Sequence, residues 1–192
     1  WGSNAKLGNS DWMVVEADES DGSFKNLRST VAVVTNCDPE HMDFWKTQTN
    51  LHSAFNDFVS GIPFYGFAVL CLDHPVVRKM AQNTKHRRVI TYGLSSQAEV
   101  HAENIRMEPL GTRCDLVIAP RGEQNEQRFK SVFLPLMGAH NVQNALAAVA
   151  VAHGLGLDLH AAAHSFSDFS GVRRRFTRAA RVNEINFIDD YA

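Results

Sequence analysis

The stretch Glu16-Ala17-Asp18-Glu19-Ser20-Asp21-Gly22-Ser23-Phe24 is the first place where this sequence could do chemistry, because four carboxylates fall within six residues. It follows Trp12-Met13-Val14-Val15, an unbroken apolar run that predicts a short buried strand ending at Glu16. Acids at the carboxyl end of a strand in an open α/β sheet stand where ligands gather, and they can hold Mg2+ against phosphate oxygens. A solvated acidic turn accounts for the composition equally well.

A second cluster, Thr35-Asn36-Cys37-Asp38-Pro39-Glu40-His41-Met42-Asp43, follows the β-branched run Val31–Thr35. A histidine among carboxylates can ligate a metal or serve as a general base. The plainer reading is a surface loop turned by Pro39, with an acid capping the next helix. The third candidate is Gly138-Ala139-His140-Asn141-Val142-Gln143-Asn144-Ala145. Asn141 and Asn144 are three residues apart, on one face of a first helical turn, where two carboxamides can read a purine edge. Simple N-capping by Asn141 is the default alternative. Arg173-Arg174-Arg175, between a helix and a strand, offers guanidinium groups to phosphate or forms a solvated connector. Asp189-Asp190 ends an apolar run and could meet ribose hydroxyls or simply make a turn. The motif GxxxxGK(S/T) is absent and no glycine precedes a lysine, so these residues encode no P-loop cradle.

The elements that would position these clusters alternate. Val31–Thr35, Phe67–Cys71 and Val89–Tyr92 read as strands covered on both faces. Leu51, Ala54, Phe55, Phe58 and Val59 fall at helical spacing between Thr47 and Ser60. Pro75 suits the first turn of a helix over Val76–Gln82. This alternation predicts an α/β fold with a mostly parallel sheet flanked by helices. From about Ala98 to Pro135 the pattern changes. Val100–Met107, Cys114–Ala119 and Phe129–Leu134 read as strands without helices between them, a small antiparallel side sheet. Helices return over Asn141–His153, closed by Gly154, and over Leu159–Phe169; a hairpin over Asn183-Glu184 follows. With no repeat and no low-complexity linker, residues 1–192 read as one domain.

Composition excludes some classes. The chain is 44% hydrophobic and 21% charged with a net charge of −2, ordinary globular values that give no basic footprint for nucleic acid or anionic membrane. No apolar run is long enough to span a bilayer. Three widely spaced cysteines, Cys37, Cys71 and Cys114, argue against a disulfide framework and for a reducing cytoplasm.

The ordered blocks EADESDGSF, TNCDPEHMD, IPFYGFAVLCLDHP, GAHNVQNALAA, FSGVRRRF and IDDYA resemble the central, ATP-handling domain of the Mur ligases, in the branch that joins L-alanine to UDP-N-acetylmuramate. The resemblance covers essentially the whole chain. It implies a P-loop NTPase-like domain whose P-loop lies upstream of Trp1, and a junction to a C-terminal domain near 185–192. It implies ATP and Mg2+ as cofactors, and peptidoglycan precursor synthesis in the bacterial cytoplasm as the setting. Glu16 and His41 would be the Mg2+ ligands, Asn141 and Asn144 would contact adenine, Arg175 would reach the phosphates, and Asp190 would sit near the ribose. Glu16, His41 and Arg175 are thereby the catalytic candidates. The reaction implied joins L-alanine to the lactyl carboxylate of UDP-N-acetylmuramate through an acyl phosphate, with the chain alone inactive. Rival readings are a tripeptide-adding or folate-extending amide ligase, a metal-dependent hydrolase built on Asp38, Glu40, His41 and Asp43, and a non-catalytic binding module.

Overall fold

The computed structural model describes residues 5–122, 125–169, 171–172, 177–183 and 185–189. Six strands form one sheet in the order of the chain: β1 (Val31–Val34), β2 (Phe67–Cys71), β3 (Arg88–Gly93), β4 (Val100–Glu108), β5 (Gly111–Ile118) and β6 (Gln127–Leu134). β1, β2 and β3 pair in parallel, with Val31 opposite Phe67 and Phe67 opposite Arg88. All five residues of β2 are buried, as expected of a central parallel strand covered on both faces.

The antiparallel strands differ from the expectation in one respect: they continue the main sheet and do not stand beside it. β4 pairs with β3 in parallel at Tyr92–Val100 and Gly93–His101, then runs antiparallel to β5, which pairs antiparallel with β6. Bulges at Asn104 and Ser131, both at positive φ, break the β4–β5 and β5–β6 registers. A separate hairpin, β7 (Thr177–Val182) and β8 (Ile185–Asp189), turns at Asn183, where φ is 47°.

The helices follow the spacing. Besides a short α1 (Met42–Trp45), α2 (Gln48–Ser60) begins where the Thr47 side chain accepts the Asn50 N–H, and it buries Leu51, Ala54 and Val59. α3 (Pro75–Asn83) has proline in its first turn and His74 at its N-cap. α4 (Ala139–Gly154) packs on β2, β3 and β4, with Val142, Leu146 and Ala150 fully buried. It ends with Leu155 as its C-cap, and Gly156, not Gly154, takes the left-handed conformation. α5 (Leu159–Ser165) is capped by Asp158 and runs into a 3-10 turn, Phe166–Asp168.

One predicted strand is absent. Residues Trp12–Glu16 carry no regular structure, and Met13 and Val14 are 83% and 97% exposed. A strand exists only through its ladder, and among the described residues no other strand pairs with this segment. Its apolar run is therefore left facing solvent.

Candidate functional site

The parallel strands β1, β2 and β3 end on the same side, and α4 begins there. Just past β1 come Thr35 and Asn36; just past β2 come Asp73 and His74; β3 ends at Tyr92 and Gly93. Together with His140, Gln143 and Asn144 from the first turns of α4, these residues line a cavity of about 240 Å3. The carboxyl ends of parallel strands are where open α/β sheets bind ligands. A larger, open cleft of about 330 Å3, between Lys25, Trp45, Lys46 and α2, shares no lining residue with it.

Asp73 organises the cavity wall. Its Oδ2 accepts the backbone N–H of Leu94 at 2.7 Å and the Gln143 Nε2–H at 2.7 Å, joining the ends of β2 and β3 to α4. His74 works through both ring nitrogens. Nδ1 accepts the Val77 N–H that starts α3, so the proton sits on Nε2, which donates to Asp38 Oδ1 at 3.1 Å. Burial raises the pKa of Cys71 and of Tyr92, so both line the cavity as neutral groups.

The Asp38 contact leads to the second acidic cluster. Beyond Pro39, His41 sits at a left-handed φ of 51° ahead of α1. Its Nε2 lies 3.7 Å from Glu19 Oε1. One ligand atom from each of Glu19, Glu40 and His41 lies within 4.8 Å of the others. Two carboxylates and an imidazole on one exposed opening suit a hard divalent cation that keeps waters and phosphate oxygens in its remaining positions. The loop that supplies Glu19 is preformed. Ser20 donates its backbone N–H to Asp18 at 2.7 Å, Ser23 does the same to Asp21 at 2.8 Å, and the Trp45 indole donates to the Glu19 carbonyl at 3.0 Å. The hydrogen bonds from Ser20 and Ser23 hold the carboxyls of Asp18 and Asp21 below the usual carboxylate range.

The sequence candidates separate here. His41 joins the possible metal group; Glu16 is exposed and lies outside it. Asn144 lines the cavity. Asn141 does not cap the helix, since Gly138, at a φ of 101°, is the N-cap. Asn141 instead turns its Nδ2 to the Met137 carbonyl at 2.8 Å. Asp38 pairs through Oδ1 with His74 and lies outside the group formed by Glu19, Glu40 and His41. Arg175 and Asp190 fall outside the described residues. Sequence reasoning passed over Asp73, His74, Tyr92, His140 and Gln143. The signal was present: Asp73-His74 comes one residue after a fully buried strand, and His140, Gln143 and Asn144 stand at i, i+3 and i+4 of one helix.

Residues 3–152 match the model of the Mur ligase middle domain. The chain belongs to the Mur ligase family. Over 191 residues it is 53% identical to the UDP-N-acetylmuramate–L-alanine ligase of Maricaulis maris and 52% identical to that of Phenylobacterium zucineum. Each match takes in 100% of this chain but only 41% and 40% of those ligases, so the chain spans about two fifths of their length. Among solved structures, MurF from Acinetobacter baumannii superposes with a TM-score of 0.73 at 25% identity, covering 91% of this chain and 36% of MurF. UDP-N-acetylmuramate-alanine ligase MurC from Thermotoga maritima gives 0.72 at 25%, covering 91% and 37%. A MurF ligase from Thermotoga maritima, solved in complex with ADP, shares the fold with a TM-score of 0.65 at 17% identity. This Mur ligase chain thus has the mostly parallel, helix-flanked sheet of its relatives. None of its described helices is long and apolar enough to cross a membrane.

Proposed function

We propose that this chain is the nucleotide-handling part of an ATP-dependent ligase that joins L-alanine to the lactyl carboxylate of UDP-N-acetylmuramate. The observation that carries the reading is the 3.1 Å contact of Asp38 with His74, which ties the acidic, His41-bearing loop to the strand-end cavity where Asn144 sits. On this reading the adenine site and the site for phosphate-bound metal would be adjacent.

In the reaction a carboxylate attacks the γ-phosphorus of ATP, the bond to the β,γ-bridging oxygen breaks to release ADP, and the amine of L-alanine then displaces phosphate from the carbonyl of the resulting acyl phosphate. The difficulty is electrostatic, because a carboxylate must approach a polyanion. Mg2+, when bound, would supply the positive charge that offsets this repulsion. His41 and Glu16 would hold it, in the assignment by family likeness; Glu19 and Glu40, which share an opening with His41, suit the same task. Asn144, and Asn141 after release from Met137, would meet the adenine. Arg175 would neutralise phosphate charge, and Asp190 would accept from the ribose. By itself the chain contains no GxxxxGK(S/T) cradle, and we expect it to have no ligase activity.

The test is turnover in the full-length ligase. Glu16→Ala and His41→Ala should each lower it about a hundredfold, the size of one lost electrostatic contact of roughly 3 kcal/mol, with folding intact. Wild-type turnover in either variant would remove the metal assignment.

A further inference from the structure

Asp73 spends one carboxylate oxygen and keeps the other. Both of its hydrogen bonds, from Leu94 N–H and Gln143 Nε2–H, go to Oδ2; Oδ1 receives neither. The residue lines the same cavity as Asn144 and is partly exposed to it. The carboxylate has little room to turn, because a Cβ built on Gly93 would come within 2.8 Å of Oδ1 and 2.9 Å of Oδ2, which shows how closely the β3 backbone packs against it. The cavity's 240 Å3 falls below the ~300–1,000 Å3 typical of whole-ligand pockets, so it takes part of a nucleotide and leaves the rest outside.

We propose that Asp73 is a selectivity residue: its Oδ1 accepts a hydrogen bond from the exocyclic amine of a purine held in the strand-end cavity. This rests on the nucleotide reading above and deepens it by naming which purine is preferred. A fixed carboxylate is an acceptor only. It favours a 6-amino purine and opposes a 6-oxo purine, whose oxygen would face it. Gln143 holds the carboxylate in place from α4 and is a positioning residue.

The experiment compares ATP with ITP at millimolar concentration in the full-length ligase, with dissociation constants read from amide chemical shifts of the cavity residues. Asp73→Asn keeps an oxygen for Leu94 and Gln143 and puts an NH2 where Oδ1 stood. The preference for ATP over ITP should fall by at least about tenfold, the size of one hydrogen bond to a charged group. Gln143→Leu should lower the preference for ATP by a smaller factor, because the acceptor remains but is no longer held in place, and Gln143→Glu, which cannot donate that bond, should do the same; a preference left at the wild-type value in Gln143→Leu would remove its positioning role. A preference unchanged in Asp73→Asn, while the cavity amides still respond to ATP, overturns the role of Asp73 alone. Cavity amides that respond to neither nucleotide in the wild-type ligase overturn this inference together with the reading it rests on.

Discussion

The indole N–H of Trp45 donates to the backbone carbonyl of Glu19 across 26 positions of sequence, at 3.0 Å. That one bond fastens the acidic loop to the end of α1, and Trp45 is itself 6% exposed between Phe24 and Phe44. It holds Glu19 near His41, and with it the geometry that could grip a cation.

Trp45→Phe should therefore act on the loop more than on the fold. Losing one hydrogen bond and some packing should cost about 1–3 kcal/mol. The amides of Glu19 to Gly22 should exchange with solvent faster than those of β2. Hydrogen exchange with mass-spectrometric readout checks this, and unchanged protection across the loop would show that the bond does not hold it.

Much of the sheet was legible because buried parallel strands announce themselves as unbroken apolar runs, as Phe67–Cys71 does. α2 was legible for the complementary reason, a 3.6-residue period closed by Thr47. Trp12–Glu16 reads the same way and forms no strand, since a run of apolar residues specifies burial but not the partner that provides it. Within the site, His41 and Asn144 stood out by type and spacing. Asp73 did not, because its importance lies in contacts with Leu94 and Gln143, far away in sequence. The capping reading of Asn141 failed for a local reason: Gly138, with its positive φ, starts the helix three residues earlier than a cap at Asn141 would.

Acidification should weaken the antiparallel half of the sheet through Asp115. This carboxylate accepts the Ser131 N–H at 2.7 Å and the Asn104 Nδ2–H at 2.8 Å, stitching both bulges together. The Ser131 bond, and then the Asn104 bond, hold its pKa below the ordinary aspartate value. A folded pKa below the unfolded one stabilises above the unfolded pKa and ceases to do so as pH falls through the folded value. Wild type should thus be more stable than Asp115→Asn near neutral pH, and the gap should close below about pH 4, the unfolded aspartate pKa. Urea midpoints measured across that range check it; a constant gap would exclude the linkage.

The three thiols should be silent in the native protein. Cys37, Cys71 and Cys114 are all buried, and burial pushes Cys37 and Cys114 each up to about 11. Thiolate is the reactive form, so at about pH 8 little of it exists and what does is shielded. A chromogenic disulfide reagent should titrate no thiol quickly under native conditions and all three in denaturant. Rapid reaction of one thiol in the folded chain would show that its surroundings open.

Gly93→Ala should damage the site through Asp73. The added methyl would sit within 2.8–2.9 Å of both carboxylate oxygens, closer than real Cβ contacts come. The carboxylate must then move, and the bonds from Leu94 and Gln143 lengthen or break together. Overpacking of this kind costs about 1–3 kcal/mol, with the loosened hydrogen bonds adding to it. The decisive measurement is a double-mutant cycle in urea. If Asp73 carries the clash, Gly93→Ala should cost at least about 1 kcal/mol less in an Asp73→Ala background, a coupling of the size seen between touching residues. Additive costs would mean that the methyl strains the β3 backbone and leaves the carboxylate where it is.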